Sequence, residues 1–377
     1  MPAARPLVIA HRGASGYRPE HTAAAYRLGV RMGADAAEPD LVATRDGVLV
    51  VRHENEISGT TDVATRPEFA SRRRTQVIDG EVLTGWFTED FTWAELSTLR
   101  ARERLPEMRP FNAAFDGRYQ LLRFTDLLEL FDAEAERRGA PVTLVAEFKH
   151  ATHFASIGLP LDELFLAELD ASGWGRGGEH VVLESFEPTV LDQLAARGAI
   201  AKRVLLIEDQ GAPADLVAAG ASRSYDSFLT PAGLAEVAGR FDGISVGKAR
   251  LIGGAAEGVA GAGAASAGDA VTANATASGA DSPLRGCELV GAAHTAGLSV
   301  FTWTLRPENE FLAPPHRTGA SGCGNWPSEY AAILETGVDG VFADHPDLAL
   351  RAIDARERGQ GLAACDVDLS NWVPPTS

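Results

Sequence analysis

Short apolar runs alternate with helix-like segments along most of this chain, and that alternation constrains the fold more than any other feature. It is typical of a parallel sheet whose strands are joined by helical crossovers. Eight runs are predicted as strands: Leu7 to His11, Ala36 to Leu41, Val142 to Lys149, His180 to Phe186, Lys202 to Ile207, Gly243 to Val246, Leu298 to Thr304 and Val338 to Ala343. Eight strand-helix units of this kind most simply close into a barrel. The sequence therefore predicts an α/β protein with a (β/α)₈ TIM-barrel fold.

A hairpin signal interrupts this repeat after the second strand. Asp46 and Gly47 form a strong turn dipeptide between the runs 36–43 and 48–53. If the turn is centred between these two residues, antiparallel register places His53 directly opposite Asp40. The spacing therefore predicts that the hairpin brings a histidine to the end of the second strand.

The length of 377 residues fits one large catalytic domain. We expect residues 1–350 to form the barrel, with an inserted subdomain at 55–120 and a flexible Ala/Gly-rich loop at 253–282. Residues 351–377 are expected to form a C-terminal tail. The aromatic residues of the insertion form either its own core, which is the commoner arrangement, or a substrate surface; they are Trp86, Phe87, Phe91 and Trp93.

The chain is strongly acidic, with a formal net charge of −18 at pH 7. Nucleic acids and anionic membranes bind clustered cations, so neither is an expected partner, and the oligomeric state stays open. Three cysteines without a C-x-x-C pair indicate neither a disulfide framework nor a thiolate zinc site. No apolar signal segment precedes the first strand, and no run reaches the length of a membrane span. We expect a cytoplasmic protein, although a secreted form that had lost its signal would look the same.

Polar and aromatic residues collect at the predicted carboxyl ends of the strands, where a (β/α)₈ barrel has its active site. They are His11 and Arg12 on the first strand, Glu38 and Asp40 on the second, Glu147 and Lys149 on the third, Lys248 after the sixth and Trp303 on the seventh. We expect Lys248 to contact an anionic substrate. Trp303 is expected either to stack on an apolar or glycerol-like group or to pack in the core.

Three carboxylates converge in this arrangement. Glu38 and Asp40 are two residues apart on one strand and share a face, and Glu147 lies on the adjacent strand. Such a cluster repels itself unless protons or a cation neutralise it, and all-oxygen ligands favour Ca²⁺ or Mg²⁺. The alternative is a pair of salt bridges, in which Arg12 binds Glu38 or Asp40 and Lys149 binds Glu147. The sequence thus predicts a site for one divalent cation and leaves the salt bridges as the competing interpretation.

Two histidines and two cations complete the predicted site. His11 and His53, on either side of a phosphate, form a candidate acid and base pair, because the ordinary pKa of histidine lies close to neutral pH. Arg12 is expected to hold a non-bridging oxygen, and Lys149 adds a point charge beside it. The other histidines, His21 among them, have no comparable setting in the sequence.

Several ordered motifs resemble a known family. The segment HRGASGYRPEHTAAAYRLGVRMGADAAEPDLVATRDGVLVVRHE closely resembles the opening of bacterial glycerophosphodiester phosphodiesterases, whose barrel is shared with phosphatidylinositol-specific phospholipases C. The later segments LVAEFKH, VVLESFEP, FTWTLRPEN and GVDGVFADHPD are similar to the family's later strands in the same order. The TDVA stretch and FTEDFTWAELSTLRA are similar to its longer, often secreted branch.

The resemblance implies hydrolysis of a glycerophosphodiester, such as glycerophosphocholine, to an alcohol and sn-glycerol 3-phosphate. It implies catalysis by His11 and His53, with Glu20 supporting Arg12 and the glycerol end of the site. The implied metal ligands are Glu38, Asp40 and Glu147, and the implied phosphate contacts are Arg12 and Lys149.

The chain departs from the family pattern at two positions. Glu54 stands where the family usually has Asp, and Pro39, which lacks an amide donor, sits inside the metal couplet. Two other functions compete with the diesterase: a lipid-directed phospholipase or lyase on the same barrel, and a non-catalytic barrel that binds phosphate esters.

Overall fold

The protein is described by a computed structural model that covers residues 5–253, 282–319 and 322–362. Its strands are β1 Leu7–His11, β2 Ala36–Glu38, β3 Asp40–Ala43, β4 Leu49–Val51, β5 Arg74–Ile78, β6 Glu81–Gly85, β7 Thr143–Phe148, β8 Gly177–Ser185, β9 Ile200–Ile207, β10 Gly243–Gly247, β11 Ser299–Leu305 and β12 Gly340–Ala343. The α-helices are α1 Ala23–Arg31, α2 Trp93–Leu96, α3 Pro110–Ala113, α4 Phe124–Arg138, α5 Ala151–Ser156, α6 Leu161–Ala171, α7 Pro188–Ala196, α8 Ala214–Ala218, α9 Pro231–Ala238, α10 Ala249–Ile252, α11 Gly286–Thr295, α12 Trp326–Glu335 and α13 Pro346–Glu357. Short 3₁₀ helices span Val63–Thr65, Pro67–Arg72, Thr88–Asp90, Tyr225–Leu229, Asn309–Phe311 and Pro314–His316.

Eight parallel strands close into a barrel, which confirms the predicted fold class. Their order around the barrel is β1, β2, β7, β8, β9, β10, β11 and β12, and β12 pairs with β1 to close the ring. Each of the eight predicted strand runs overlaps one of these strands. The carboxyl ends of all eight strands therefore meet at one rim, which is where a barrel of this kind carries its site.

Alternating side chains of the strands fill two different spaces. Ile9, Val204 and Phe342 belong to a cluster inside the barrel. Val8, the neighbour of Ile9, belongs instead to the larger cluster that includes helix residues such as Leu127. Successive strand residues point to opposite faces, so the unbroken apolar runs in the sequence are explained by burial on both sides of the sheet.

The predicted hairpin exists, but its register differs by one residue from the prediction. In the β3–β4 pair Leu41 lies opposite Val51, and the Arg52 amide donates to the Asp40 carbonyl at 2.9 Å. The turn is a three-residue loop ending at Gly47, whose φ of +76° is the left-handed conformation that such loops require. Arg52 therefore lies opposite Asp40, and His53 is one position further along the chain.

Pro39 divides the second barrel strand into β2 and β3. Proline has no N–H to give to a ladder, and the strand is interrupted at this residue. Its carbonyl still accepts from the Glu147 amide at 2.9 Å, which keeps the segment attached to β7. Glu38 and Asp40 consequently end one short strand and begin the next.

The insertion packs on the barrel and contains the β5–β6 hairpin. Its aromatic residues are mainly buried: Trp86 and Phe91 belong to the same core cluster as Leu41 of the barrel, and Trp93 packs partly buried against it. This burial supports the packing interpretation of the aromatic residues. The core of the insertion is thus continuous with the core of the barrel.

The outer parts of the chain are described only in part. Helix α13 runs to Glu357, past the boundary expected at residue 350. Most of the stretch predicted as the loop 253–282, and residues 363–377 of the predicted tail, lie outside the described residues. Among the described residues, no helix combines the length and the apolar character that crossing a bilayer requires.

Candidate active site

His11 ends β1 with its imidazole held by a carboxylate. Its Nδ1 lies 2.6 Å from Oδ1 of Asp344, the residue that follows β12. Burial, and after it the Arg12 guanidinium, lowers the pKa of His11 to about 4, although Asp344 acts in the opposite direction. Burial would raise the pKa of Asp344, but Arg306, Arg109 and His11 hold it well below its ordinary value. His11 therefore faces an ionised carboxylate at the seam where the barrel closes.

His53, which follows the hairpin, is held in the same way. Its Nδ1 lies 2.6 Å from Oε1 of Glu54. Burial, followed by Arg12 and then Lys149, lowers the pKa of His53 to about 3. The Arg12 guanidinium thus lowers the pKa of both imidazoles, and the pairing of His11 with His53 as acid and base stays a prediction.

Three buried carboxylates form a second group on the rim. Glu38, Glu147 and Glu184 each bring one oxygen within 4.8 Å of the others. Glu147 and Glu184 lie side by side in the β7–β8 register, and Glu38 ends β2, the other neighbour of β7. Oε2 of Glu184 is buried and has no hydrogen-bond partner among the described residues.

The electrostatics of this group fit a hard cation. Burial, followed by repulsion from neighbouring carboxylates, raises the pKa of Glu38 and Glu184 well above the ordinary value. Burial and then Asp40 raise the pKa of Glu147 to about 8 against the opposing effect of Lys149. A divalent cation removes the same repulsion without protons, and an all-oxygen donor set suits Ca²⁺ or Mg²⁺.

Asp40, a predicted ligand, lies beside this group and is surrounded by basic side chains. Its Oδ2 is 2.9 Å from Nε2 of His21 and 3.3 Å from Nε of Arg12, and its Oδ1 is 3.4 Å from Nζ of Lys149. Burial would raise the pKa of Asp40, but Lys149, His53, His21 and Arg12 hold it well below its ordinary value. Asp40 is also the register partner of Glu147, so it stays a predicted ligand.

Arg12 is fixed by the turn that follows β1. Its amide donates to Oε2 of Glu38 at 2.8 Å, and its Nη1 lies 3.4 Å from both oxygens of Glu20. The next residue, Gly13, has φ +85°, and a Cβ there would come within 2.5 Å of the Ala25 backbone. Only glycine therefore fits behind Arg12, and the Glu20 carboxylate lies against the guanidinium.

Lys248 and Trp303 have different surroundings from the rest of the site. The Lys248 ammonium is buried and donates to Oε1 of Glu329 at 2.8 Å and to the Phe311 carbonyl at 2.5 Å. These contacts indicate a structural role and do not support the expected substrate contact. Trp303 is half-buried, lies edge-on to Phe186 with 5.8 Å between ring centroids, and also packs against the barrel interior.

The site contains residues that the sequence did not single out. His21 is fully buried and holds Asp40, although its position before α1 has no strand-end signal. Asp344 and Glu184 did carry a signal, since one directly follows a predicted strand and the other is a lone charge inside an apolar run. Arg104 and Arg109 of the insertion also reach this rim, and no local pattern distinguishes them from other arginines.

Comparison with known sequences gives one consistent result. Residues 11–348 match the model of the "Glycerophosphoryl diester phosphodiesterase family". A glycerophosphodiester phosphodiesterase of Arabidopsis thaliana is 40% identical over 126 residues, 33% of this chain and 33% of that protein. One of Haemophilus influenzae is 28% identical over 258 residues, 64% of this chain and 68% of that protein. The chain thus aligns with only a third of the length of the first relative.

Solved structures share the fold. A Silicibacter pomeroyi protein of the same named class superposes with a TM-score of 0.61 at 21% identity, covering 96% of this chain and 97% of that one. A phosphodiesterase of Oleispira antarctica, in complex with the product sn-glycerol-3-phosphate, superposes with a TM-score of 0.58 at 17% identity, covering 93% and 97%. At these identities the likeness establishes the barrel architecture.

Proposed function

Because the chain belongs to the glycerophosphoryl diester phosphodiesterase family, we propose that it hydrolyses glycerophosphodiesters to an alcohol and sn-glycerol 3-phosphate. The observation that carries this proposal is the pair of histidines, each with a carboxylate on Nδ1, on the same rim as three buried carboxylates. Burial, and after it the Arg12 guanidinium, lowers the pKa of both rings. A phosphodiester needs positive charge on its oxygens and a proton moved on each side of the phosphorus.

A single divalent cation, Ca²⁺ or Mg²⁺, is part of the proposal. Glu38 and Glu147 would hold it, together with Glu184, Asp40 or both. When bound, the cation neutralises charge on the phosphoryl oxygens. Its positive charge would also oppose the burial and the repulsion from Asp40 that raise the pKa of Glu147 to about 8.

Arg12 and Lys149 are proposed to bind the phosphate. Both side chains are buried and both face Asp40, so their charges converge on one point of the rim. The planar guanidinium suits two phosphate oxygens at once, whereas the ammonium acts as a point charge. Together they supply the local positive charge that this acidic chain needs for an anionic substrate.

The two histidines are proposed to move the protons. Ionised carboxylates only accept hydrogen bonds, so Nδ1 of His11 and of His53 carries the hydrogen. In the neutral ring, Nε2 is then free to accept a proton. One histidine takes the proton of the nucleophile, and the other, once protonated, returns one to the leaving alcohol.

The test is an assay of purified protein stripped with EDTA. A panel of glycerophosphodiesters, including glycerophosphocholine, is incubated with the protein, and released sn-glycerol 3-phosphate is measured after Ca²⁺ or Mg²⁺ is added separately. We expect release that depends on one of these ions. If no diester of the panel releases sn-glycerol 3-phosphate with either ion, the proposal is rejected. If the protein cleaves phospholipid micelles in preference to the soluble diesters, the lipid-directed alternative replaces it.

A further inference from the structure

Both candidate catalytic histidines are connected to the insertion through a carboxylate and an arginine. Arg104 binds Glu54, the partner of His53, and Arg109 binds Asp344, the partner of His11. These arginines come from one short stretch of the insertion, 104–109, and both guanidinium groups reach the carboxylates at the rim. The two chains of contact are alike although their carboxylates, Glu54 and Asp344, lie far apart in the sequence.

All three guanidinium nitrogens of Arg104 bind carboxylate oxygens. Its Nη1 and Nη2 lie 2.7 and 2.8 Å from the two oxygens of Glu54, and its Nε and Nη2 lie 2.8 and 2.6 Å from the two oxygens of Glu20. Glu20 in turn contacts Arg12. Arg104 therefore orients both Glu54, which holds His53, and Glu20, which contacts the predicted phosphate-binding Arg12.

Arg109 acts at the other histidine. Its Nη2 donates to Oδ2 of Asp344 at 2.7 Å, while Oδ1 of Asp344 faces His11. Its Nε donates to Glu308 at 2.6 Å, so the guanidinium is fixed from a second side. The side chains of Arg109, Glu308 and Asp344 are all at most 7% exposed, which makes this contact strong and strictly oriented.

Glu54 and Asp344 can hold the histidine rings only if their carboxylates are ionised and correctly oriented. Burial would raise the pKa of Glu54, but Arg104 and then His53 hold it well below its ordinary value. An ionised, fixed acceptor on Nδ1 keeps the hydrogen on that nitrogen and aims Nε2 away from the carboxylate. A loose acceptor would let the ring turn and change tautomer.

We propose that Arg104 and Arg109 are positioning residues of the insertion, which orient His53 through Glu54 and His11 through Asp344. The inference rests on the proposed diesterase activity for its kinetic consequence, while the geometry it describes is independent of any substrate. The insertion is then a working part of the catalytic centre, because both acid-base groups depend on it.

The kinetic test compares Arg104→Gln and Arg109→Gln with Arg102→Gln, an exposed arginine of the insertion two residues before that stretch. We expect kcat to fall about 10- to 100-fold in the first two variants, with KM changed much less for Arg109→Gln, because loss of an outer hydrogen-bond partner disorients the group it holds. Arg102→Gln should keep the wild-type kcat. Wild-type kcat in folded Arg104→Gln and Arg109→Gln would overturn the proposal.

Arg104→Lys keeps the experiment decisive if the glutamine variant does not fold. Lysine retains the charge but cannot bind two carboxylates through a planar fork, so we expect kcat about tenfold below wild type in a folded protein. A double variant with Glu54→Gln adds a further check. Because Arg104 acts through Glu54, the two losses in kcat should be less than multiplicative, and fully multiplicative losses would contradict the proposed route.

A substrate-free measurement separates this inference from the proposed function. Proton NMR of ¹⁵N-histidine-labelled protein records the Nδ1 hydrogens of His11 and His53, assigned with the variants that lack each ring. We expect the His53 signal to shift or vanish in the folded Arg104 variant and the His11 signal in the folded Arg109 variant. Unchanged signals would overturn the positioning role, whereas shifted signals in a protein that cleaves no diester would support it and reject only the activity.

Discussion

Asp344 accepts a hydrogen bond from Nδ1 of His11 at 2.6 Å, across 333 residues of sequence. The contact crosses the β1–β12 seam, so the proposed acid-base group at the start of the chain depends on a residue from the last unit of the barrel. Arg306 and Arg109 bind the other oxygen of Asp344 at 2.8 and 2.7 Å. The aspartate is therefore fixed from three sides.

Replacing Asp344 with Asn tests this arrangement. The amide is neutral and can offer His11 a donor in place of an acceptor, which favours the wrong tautomer of the imidazole, so we expect kcat to fall by about 10²- to 10⁴-fold. Steady-state kinetics with glycerophosphocholine measure the loss. Asp354→Asn, on the exposed side of α13, is the matched control and should keep its activity. A fully active Asp344→Asn protein would contradict the proposed role of the hydrogen bond between His11 and Asp344.

Removing either imidazole should abolish most turnover without unfolding the protein. In His11→Ala the Asp344 carboxylate keeps Arg109 and Arg306, and in His53→Ala the Glu54 carboxylate keeps Arg104. Loss of a general acid or base costs at least about a hundredfold in kcat. Kinetics and thermal unfolding of these variants, with His294→Ala at an exposed position of α11 as control, check both parts. Near-normal turnover in both variants would remove the histidines from the mechanism.

Glu184→Gln separates two sets of metal ligands. The sequence predicts Glu38, Asp40 and Glu147, whereas the three carboxylates that each bring one oxygen within 4.8 Å of the others are Glu38, Glu147 and Glu184. If Glu184 is a ligand, its amide variant should bind Ca²⁺ or Mg²⁺ at least about tenfold more weakly by titration calorimetry. Glu163→Gln, on α6, is an exposed control. Unchanged affinity in Glu184→Gln, with a loss in Asp40→Asn, would favour the predicted set.

The metal-free protein should lose stability as the pH rises above neutral. Burial and then Asp40 raise the pKa of Glu147 to about 8 from an ordinary 4.5, so the folded state holds a proton that the unfolded state has released. Its stabilising contribution is present below about pH 4.5 and is lost as the pH approaches 8. Burial lowers the pKa of His11 and His53, so these two rings make stability rise with pH. That rise ends near pH 7, where the imidazoles of the unfolded chain are neutral as well.

Thermal unfolding between about pH 7 and 8.5 in EDTA measures this effect. The melting temperature should fall across that range, and the gain from added Ca²⁺ or Mg²⁺ should grow, because the cation replaces protons on the carboxylates. Glu147→Gln should flatten the dependence. A melting temperature that stays constant or rises over this range would show that these carboxylates are ionised without a cation.

Lys248→Met distinguishes a structural lysine from a substrate contact. The substitution leaves the Glu329 carboxylate, which is fully buried, without the ammonium that it binds at 2.8 Å. Breaking one partner of a buried ion pair costs about 3–5 kcal/mol, and urea denaturation should show a loss of that size. Lys202→Met, at an exposed position of β9, should change the free energy of unfolding little. A stable Lys248→Met protein with a raised KM would instead support the interpretation of Lys248 as a substrate contact.

The barrel was predictable because its signal is local. Each strand is a short apolar run, and burial on both faces makes that run continuous, so β1 was predicted to the residue. The hairpin register was not predictable at the same precision, because a two-residue and a three-residue turn around Asp46 differ only in backbone geometry. His53 is therefore one position away from its predicted place opposite Asp40, yet Asp40 still affects the pKa of its ring.

The site was predictable only as far as strand ends reveal it. His11 and Glu147 lie at the rim because their strands end there, and the sequence contains that information. The partnership of Arg109 with Asp344 spans 235 residues, and nothing in either local segment specifies the other. No local signal marks His21, because its contact with Asp40 depends on how the turn after β1 folds back, which is a three-dimensional property.

The seam between β1 and β12 also has a consequence for how the protein is made. During synthesis β1 has a single sheet neighbour, β2, until β12 has emerged, so one edge of the growing sheet is unprotected for most of the process. The last unit both covers that edge and delivers Asp344. Appearance of activity in a nascent chain would thus report completion of the ring, and a chain arrested before residue 340 should be both inert and prone to aggregate.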